Sequence, residues 1–299
     1  MIKKLDDIFE VLKSRPAKRL VGAYVCDSHT LGAISQAVNL GLIKATVVGD
    51  EELIKKASKE ENIDISKIDI VHEPVDVKAA AKAVAMINNG EGDLLMKGLL
   101  STDKYMRAIL NKENGLVPPK AVLSHVSVMQ TPKYHKLLIV GDVAVIPAPD
   151  FKQKVAITKY LINTAHGMGI ENPKVAILAA TEQVSPKMEA CVDASVIAKM
   201  GERGQIGKAT IDGPLSLDLA IDQESVDIKG IKSPVAGDAD CIVFPNIESG
   251  NVFYKANTKL CDAQLGAFVA GAKCPCILSS RGDSVKTKLY SIGLAALLA

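Results

Sequence analysis

Asp93-Leu94-Leu95-Met96-Lys97-Gly98-Leu99-Leu100-Ser101-Thr102-Asp103 is the stretch on which the reading of the fold turns. Its first four residues are short and largely apolar, as in a buried strand. Lys97-Gly98 stops the run, and Ser101-Thr102-Asp103 offers the hydroxyl and carboxylate groups that start a helix. The same form recurs on both sides. Upstream, Leu20–Cys26, Ala45–Val48 and Ile68–Val71 read as strands, and 31–41, Glu51–Glu60 and Val75–Asn88 as helices. Downstream, strands are expected at Val175–Ala179, Ala239–Phe244 and Ile277–Ser279, with Ile211-Asp212-Gly213-Pro214 between the first two. Helices are expected at 152–168, 186–200, 252–270 and Ser284–Leu298. Such alternation predicts parallel α/β layers. Residues 120–149 break it: Val122–Met129 and Leu137–Ile146 are β-rich, flank Thr131-Pro132, and are expected to pair as a hairpin.

Composition narrows the class. The 299 residues suggest two domains, and no low-complexity linker or solenoid repeat separates them. Lys plus Arg (36) nearly balances Asp plus Glu (34), so no nucleic acid or other polyanion is expected as partner. Aromatic residues are 4% and Trp is absent, which argues against a stacking platform and for an aliphatic core. The six Cys (26, 191, 241, 261, 274, 276) lack C-x-x-C spacing and read as reduced thiols. Met1 to Asp7 turns acidic where a signal peptide turns apolar, and no apolar run is long enough to span a membrane. A cytoplasmic protein without membrane partners is the expectation.

Familiar motifs fail on inspection. In Gly201–Ala209 the glycines before Lys208 are wrongly spaced for a phosphate loop, and Ala209 replaces its Ser/Thr. Gly167-Met168-Gly169 lacks the third glycine of a dinucleotide fingerprint. Arg281-Gly282-Asp283 spells an adhesion tripeptide, a coincidence in an intracellular chain. The five His are scattered without metal-ligand spacing, so no metal is expected. What remains are loops after strands, where ligands bind in parallel α/β sheets. Ser279-Ser280-Arg281-Gly282-Asp283-Ser284 sets two hydroxyls and a guanidinium before a helix, where free N–H groups favour an anion. Either Asp283 or Ser284 suits the N-cap. Pro245-Asn246-Ile247-Glu248-Ser249-Gly250-Asn251 leads to Lys255, read as lying one turn into a helix. Together with Lys97-Gly98 and Ser101-Thr102, these loops could build a phosphate pocket without a Walker motif.

In order and spacing these segments resemble the phosphate acetyl/butyryltransferase family. The residues that carry the resemblance are Met96-Lys97-Gly98 with Ser101-Thr102, Asp212-Gly213-Pro214-Leu215, Ser233–Gly237, Phe244-Pro245-Asn246 through Lys255, and Ser280-Arg281-Gly282. The wording Ser-Arg-Gly-Asp-Ser-Val-Lys-Thr-Lys at 280–288 is nearer the butyryl than the acetyl branch. The resemblance implies reversible transfer of a short-chain acyl group, butyryl by that wording, between CoA and orthophosphate through a ternary complex. The alternatives are acetyl transfer, or a CoA-binding protein of the same fold with little turnover. It further implies two α/β/α domains with an interdomain cleft, similar to the isocitrate/isopropylmalate dehydrogenase fold. The first domain would be discontinuous (1–130 plus 274–299) and the second would cover 131–273. A homodimer or larger homo-oligomer is implied, with CoA as substrate and no permanently bound cofactor.

Site residues follow from the same resemblance. Ser280 and Arg281 match positions that hold the phosphate and the carbonyl. Lys255, Ser124, Asn246 and Gly250 are expected to bind phosphate or acyl phosphate, and Lys97 and Arg107 to bind CoA. The acetyl branch has an acidic thiol base six positions after the motif Arg. Here that position is Thr287, which leaves Asp283, water or the cationic surroundings to activate the thiol. A competing reading, a metal-dependent hydroxy-acid dehydrogenase, would need Asp212, Asp218 and Asp222 to gather as ligands.

Overall fold

In the computed structural model, which describes residues 1–278 and 282–299, strand and helix alternate along most of the chain. After α1 (Asp7–Lys13) come β1 (Lys18–Ala23), α2 (Ser28–Asn39), β2 (Ile43–Gly49), α3 (Glu51–Glu60), β3 (Ile68–His72), α4 (Asp76–Asn88), β4 (Leu94–Lys97) and α5 (Thr102–Ile109). The middle of the chain forms β5 (Ser124–Gln130), β6 (Leu138–Gly141), α6 (Phe151–Gly167), β7 (Lys174–Leu178), α7 (Glu189–Glu202), β8 (Thr210–Leu215), α8 (Leu217–Ile221), α9 (Gln223–Lys229), β9 (Cys241–Val243) and α10 (Ile247–Leu260). The last elements are β10 (Gln264–Ala270), β11 (Cys276–Ile277) and α11 (Val285–Leu298). Two compact units result. The first comprises Leu5–Leu123 and Leu265–Ala299, the second Met1–Lys4 and Ser124–Gln264. The positions 130 and 274 named from the sequence lie at the end of β5 and just beyond β10.

In the first unit the strand order is β3-β2-β1-β4-β11-β10. The first five run parallel, and β10 pairs antiparallel with β11. Helix α11 is apolar on nearly every side, and everything from Lys288 to Leu297 is buried, the pattern of a helix enclosed by its own fold. The Tyr290 ring stacks on Phe9 at 5.5 Å and its hydroxyl donates to Asp6 (2.7 Å), which ties α11 to the start of the chain. The Ser291 hydroxyl accepts the Ala267 N–H of β10. All six cysteines are free thiols.

In the second unit the order is β5-β6-β9-β7-β8. β5 and β6 form the expected antiparallel hairpin, with Ser127 opposite Val140, and the other pairs are parallel. α6 starts at a capping box: Asp150 accepts the Gln153 N–H, and the Gln153 side chain accepts the Asp150 N–H.

The structure corrects three expectations. The helix expected over 252–270 is two elements, α10 and β10. Asn246 caps α10 by accepting the Ser249 N–H, so Ser249, Gly250 and Asn251, which precede the expected helix, are helical. Lys255 therefore sits more than two turns past the cap instead of one. The chain leaves the helix at Cys261 and Asp262, the latter at φ 52°, and the apolar run Leu265–Val269 continues as buried strand. The last strand, expected at Ile277–Ser279, ends at Ile277, and Ser279 lies outside the described residues.

Two charge clusters brace the second unit. The Lys154 ammonium of α6 meets the Asp193 carboxylate of α7 at 2.6 Å, with side chains 6% and 11% exposed. Replacing Lys154 by Met should destabilise this unit by about 3 kcal/mol, because a buried carboxylate is left unpaired. The Lys154→Met, Asp193→Leu pair should recover most of the loss in denaturant melts. Asp238 gathers Lys136, Lys174 and His135, each at 2.8 Å. Partial burial disfavours its charge, but the hydrogen bonds from Lys136, Lys174 and His135 outweigh it and hold the pKa well below the ordinary carboxylate value. A depressed carboxylate adds stability above its unfolded pKa and loses it as pH falls toward the folded one. Asp238→Asn should thus lower Tm at pH 7, with the gap to the parent closing below about pH 4.

Candidate active site

At the carboxyl ends of β1, β4 and β11, Ala23 pairs with Lys97 and Met96 with Ile277. Loops at such strand ends are where α/β sheets hold ligands. The Gly98 and Leu99 N–H groups donate to the carbonyls of Ala23 and Tyr24 at 2.9 and 2.8 Å, and Tyr24 takes φ 55°. A Cβ on Gly98 would collide with the Tyr24 carbonyl oxygen, so this approach requires glycine. The Lys97 side chain is buried, and its ammonium donates to the carbonyls of Gly98 (3.2 Å) and Leu100 (3.1 Å). Lys97 thus clasps its own loop. Arg107, on α5 after the Ser101 cap, pairs with Asp103 at 2.8 Å on an exposed face.

Helix α11 begins beside these loops in sequence. Ser284 is its cap, accepting the Thr287 N–H at 3.1 Å, while its hydroxyl meets the Thr287 hydroxyl at the same distance. Asp283 is consequently not the cap, and Thr287 is engaged in closing the helix end. One turn on, Lys288 is buried. Burial lowers its pKa, and the carboxylates of Asp283 and Asp27 pull it back up. Asp27 itself caps α2 through the Thr30 N–H (2.8 Å). Burial pushes the neighbouring Cys26 thiol up to about 11, so it is a thiol and not a nucleophile at neutral pH. Ser280 and Arg281 lie outside the described residues.

In the second unit, Ser124 opens β5, fully buried, and its hydroxyl has no hydrogen-bond partner. The next residue, His125, donates its N–H to Asp142 (3.0 Å). Asp142 follows β6 and also accepts the N–H groups of Ala144 (2.7 Å) and Val145 (2.9 Å). Gly250, in the first turns of α10, lies against the Asp142 carbonyl so closely that any Cβ would collide with it. Asn251 donates to the Val143 carbonyl (3.0 Å), and the Tyr254 ring stands edge-on to His125 at 6.4 Å. The exposed Lys255 places its ammonium 5.2 Å from the Tyr254 ring centre. Ser124 and Gly250 are thus gathered with Asp142, His125 and Tyr254, with Lys255 at the margin and Asn246 engaged as the cap. Sequence reasoning missed Asp142, His125, Tyr254, Asp27 and Lys288. The polar pair Gly141-Asp142 at the end of an apolar strand was the available signal for the first.

The three aspartates of the dehydrogenase reading are engaged separately. Asp212 accepts the Gly213 N–H, Asp218 pairs with Lys229, and Asp222 caps α9. The Lys229 hydrogen bond draws the Asp218 pKa down to about 2. Among the described residues no group of three or more His, Cys, Asp or Glu is placed to hold a metal.

The phosphate acetyl/butaryl transferase family profile matches residues 67–296. The chain belongs to that family. It is an acyltransferase by that membership. Phosphate butyryltransferase of Clostridium acetobutylicum is 42% identical over 299 residues, covering 100% of this chain and 99% of the relative. A phosphate acetyltransferase of Rhizobium meliloti is 40% identical over 296 residues, 99% and 93% of the two chains. Among solved structures, a branched-chain phosphotransacylase from Enterococcus faecalis superposes with a TM-score of 0.82 at 29% identity, covering 94% of this chain and 98% of the other. A 4-hydroxythreonine-4-phosphate dehydrogenase from Klebsiella pneumoniae reaches 0.56 at 11% identity over 94% and 99%, a weaker likeness of fold alone that fits the expected dehydrogenase-like architecture.

The close approach at Asp142 is testable as a packing constraint. Gly250→Ala should lower stability by about 1–3 kcal/mol and reduce turnover, since α10 must withdraw from Asp142. Gly32→Ala, whose Cβ would meet only ordinary contacts inside α2, should instead be neutral or stabilising by up to about 1 kcal/mol in the same melts.

Proposed function

We propose that the chain transfers a short-chain acyl group, preferentially butyryl, between CoA and orthophosphate. The supporting observation is the 42% identity to a phosphate butyryltransferase along the whole chain, with both lengths matched. The 40% identity to a phosphate acetyltransferase makes acetyl-CoA the second substrate to try.

Toward acyl-CoA, the CoA thiolate attacks the carbonyl carbon of the acyl phosphate. A tetrahedral intermediate forms, the bond from carbon to phosphate oxygen breaks, and phosphate leaves with the electron pair. A free thiol has a pKa of about 8.5, so a base that takes its proton speeds the attack. Asp283 is our candidate, because Ser284 relieves it of capping and the Lys288 ammonium lies within its field. In the reverse direction it returns the proton to the departing sulfur. Arg281 and Ser280 would hold the phosphate and the carbonyl oxygen, where charge accumulates in the transition state. Lys255 would supply a further positive charge to the phosphate, and the Ser124 hydroxyl, buried without a partner, a hydrogen bond. Gly250 and Asn246 would serve by bringing α10 close. Lys97 would shape the loop that receives CoA, and Arg107 would leave its exposed pairing with Asp103 to meet a CoA phosphate. No resident cofactor or metal is required. We place the enzyme in the cytoplasm as a homodimer or larger assembly.

The reading is tested by mixing the enzyme with acyl-CoAs of two to six carbons, orthophosphate and a thiol reagent. Phosphate-dependent release of CoA, fastest with butyryl-CoA, is expected. No release with any acyl-CoA overturns the reaction, and faster release from acetyl-CoA overturns only the chain length. Arg281→Gln should reduce kcat/KM for phosphate by at least about 100-fold, the scale of losing one transition-state donor. Asp283→Asn should move the alkaline rise of the rate toward the free-thiol pKa.

A further inference from the structure

We propose that a cavity at the amino-terminal edge of the second unit's sheet binds a small phosphate monoester. This site lies at the opposite end of the strands from the Asp142 loops. Leu138, Lys174 and Cys241 are the first residues of β6, β7 and β9, and the cavity opens beside the hairpin that precedes β6. Its volume is about 360 Å³, within the range of small-molecule sites.

Two independent observations point to a ligand. The first is Thr131, which lines the cavity, is 9% exposed, and has no hydrogen-bond partner for its hydroxyl. Buried hydroxyls are normally satisfied, and rotation of the Thr131 side chain toward the cavity would let a ligand oxygen satisfy this one. The second is charge. Lys3, Lys4 and Lys136 line the cavity against a single carboxylate there, Asp262. Lys136 is also paired with Asp238 and Asp240 at 2.8 Å, and Lys3 and Lys4 line the cavity beside it. Ammonium groups act as point charges that suit a tetrahedral dianion, whereas planar carboxylates are matched best by arginine forks, and none of the described residues lining this cavity is Arg. The side-chain amides of Gln130 and Gln264 can meet the polar body of such a molecule.

The frame is preformed. The Tyr134 hydroxyl donates to the Ala239 carbonyl at 2.7 Å, and the Lys136 ammonium to the Asp238 carbonyl at 2.8 Å. His135 Nε2 lies 2.8 Å from Asp238. The hairpin is therefore held before any ligand arrives, which limits the ordering that binding requires.

Glycerol 3-phosphate titrated into the full chain, followed through the amide resonances of Thr131, Tyr134 and Lys136, should bind saturably at millimolar concentration or better. Lys3→Gln with Lys4→Gln should weaken that binding at least tenfold, and Thr131→Val at least threefold. Lys3→Arg with Lys4→Arg should retain it, and acyl transfer at saturating substrates should be unchanged in all three. No saturable shift at these amides, or equal binding by the Gln and Val variants, overturns the site. Equally tight binding of inorganic phosphate at the same amides overturns its assignment to a monoester. None of these outcomes depends on whether CoA is released in the acyl-transfer assay.

Discussion

The carboxylate of Asp142 is the constraint on which the second unit's loops depend. It is buried and accepts three backbone N–H groups, from His125 at the start of β5 and from Ala144 and Val145 just beyond β6. A buried carboxylate is tolerated when its oxygens are supplied with donors, and here the donors are backbone, so satisfying the charge also sets the path of the chain. The same residue's carbonyl sets how near α10 comes, because Gly250 packs directly on it. One residue thereby relates Ser124, the β6 end and the helix that carries Tyr254 and Lys255. In the first unit the corresponding work falls to a backbone approach, Gly98 on Tyr24, clasped by the Lys97 ammonium.

The layered architecture was legible because apolar strands and capped helices differ in period and in their end residues. Ser101, Asp150 and Ser284 each cap a helix that the pattern anticipates. The reading failed where an apolar run satisfies both periods. Leu265–Val269 packs as a strand, but its composition suits a helix equally, and strand pairing such as that with β11 decides. It failed again at α10, where Asn246 and Asn251 are both good caps and tertiary packing of Gly250 selects the first. The loops with Ser, Gly and Lys were visible as candidate anion sites. Asp142, His125 and Lys288 were not, because their importance arises from partners distant in sequence: Asp142 is 17 positions from His125.

The balance of 36 cationic against 34 anionic side chains also acquires a structural reading. Part of this charge is spent on pairs within the fold, such as Arg19 with Asp93, Lys154 with Asp193 and Lys136 with Asp238. Three cysteines are equally withdrawn from chemistry: burial raises Cys26 and Cys241 above the ordinary thiol pKa, and the neighbouring Cys274, together with burial, raises Cys276. The thiol for the enzyme to activate is the sulfur of CoA.

The placement of α11 has a consequence for synthesis. The first unit takes Leu5–Leu123 from one part of the chain and Leu265–Ala299 from another, and β11 pairs with β4 across about three-fifths of the sequence. Helix α11, buried from Lys288 to Leu297, is made only after that intervening unit. A growing chain would therefore expose the apolar faces of α1, α2 and β4 while the whole Ser124–Gln264 unit is translated and free to fold. Contacts of such long sequence separation form slowly, and exposed apolar surface invites association during the wait. Yield of this protein at high expression should thus be limited by events on the ribosome, at a stage when the finished fold's own stability has not yet come into play.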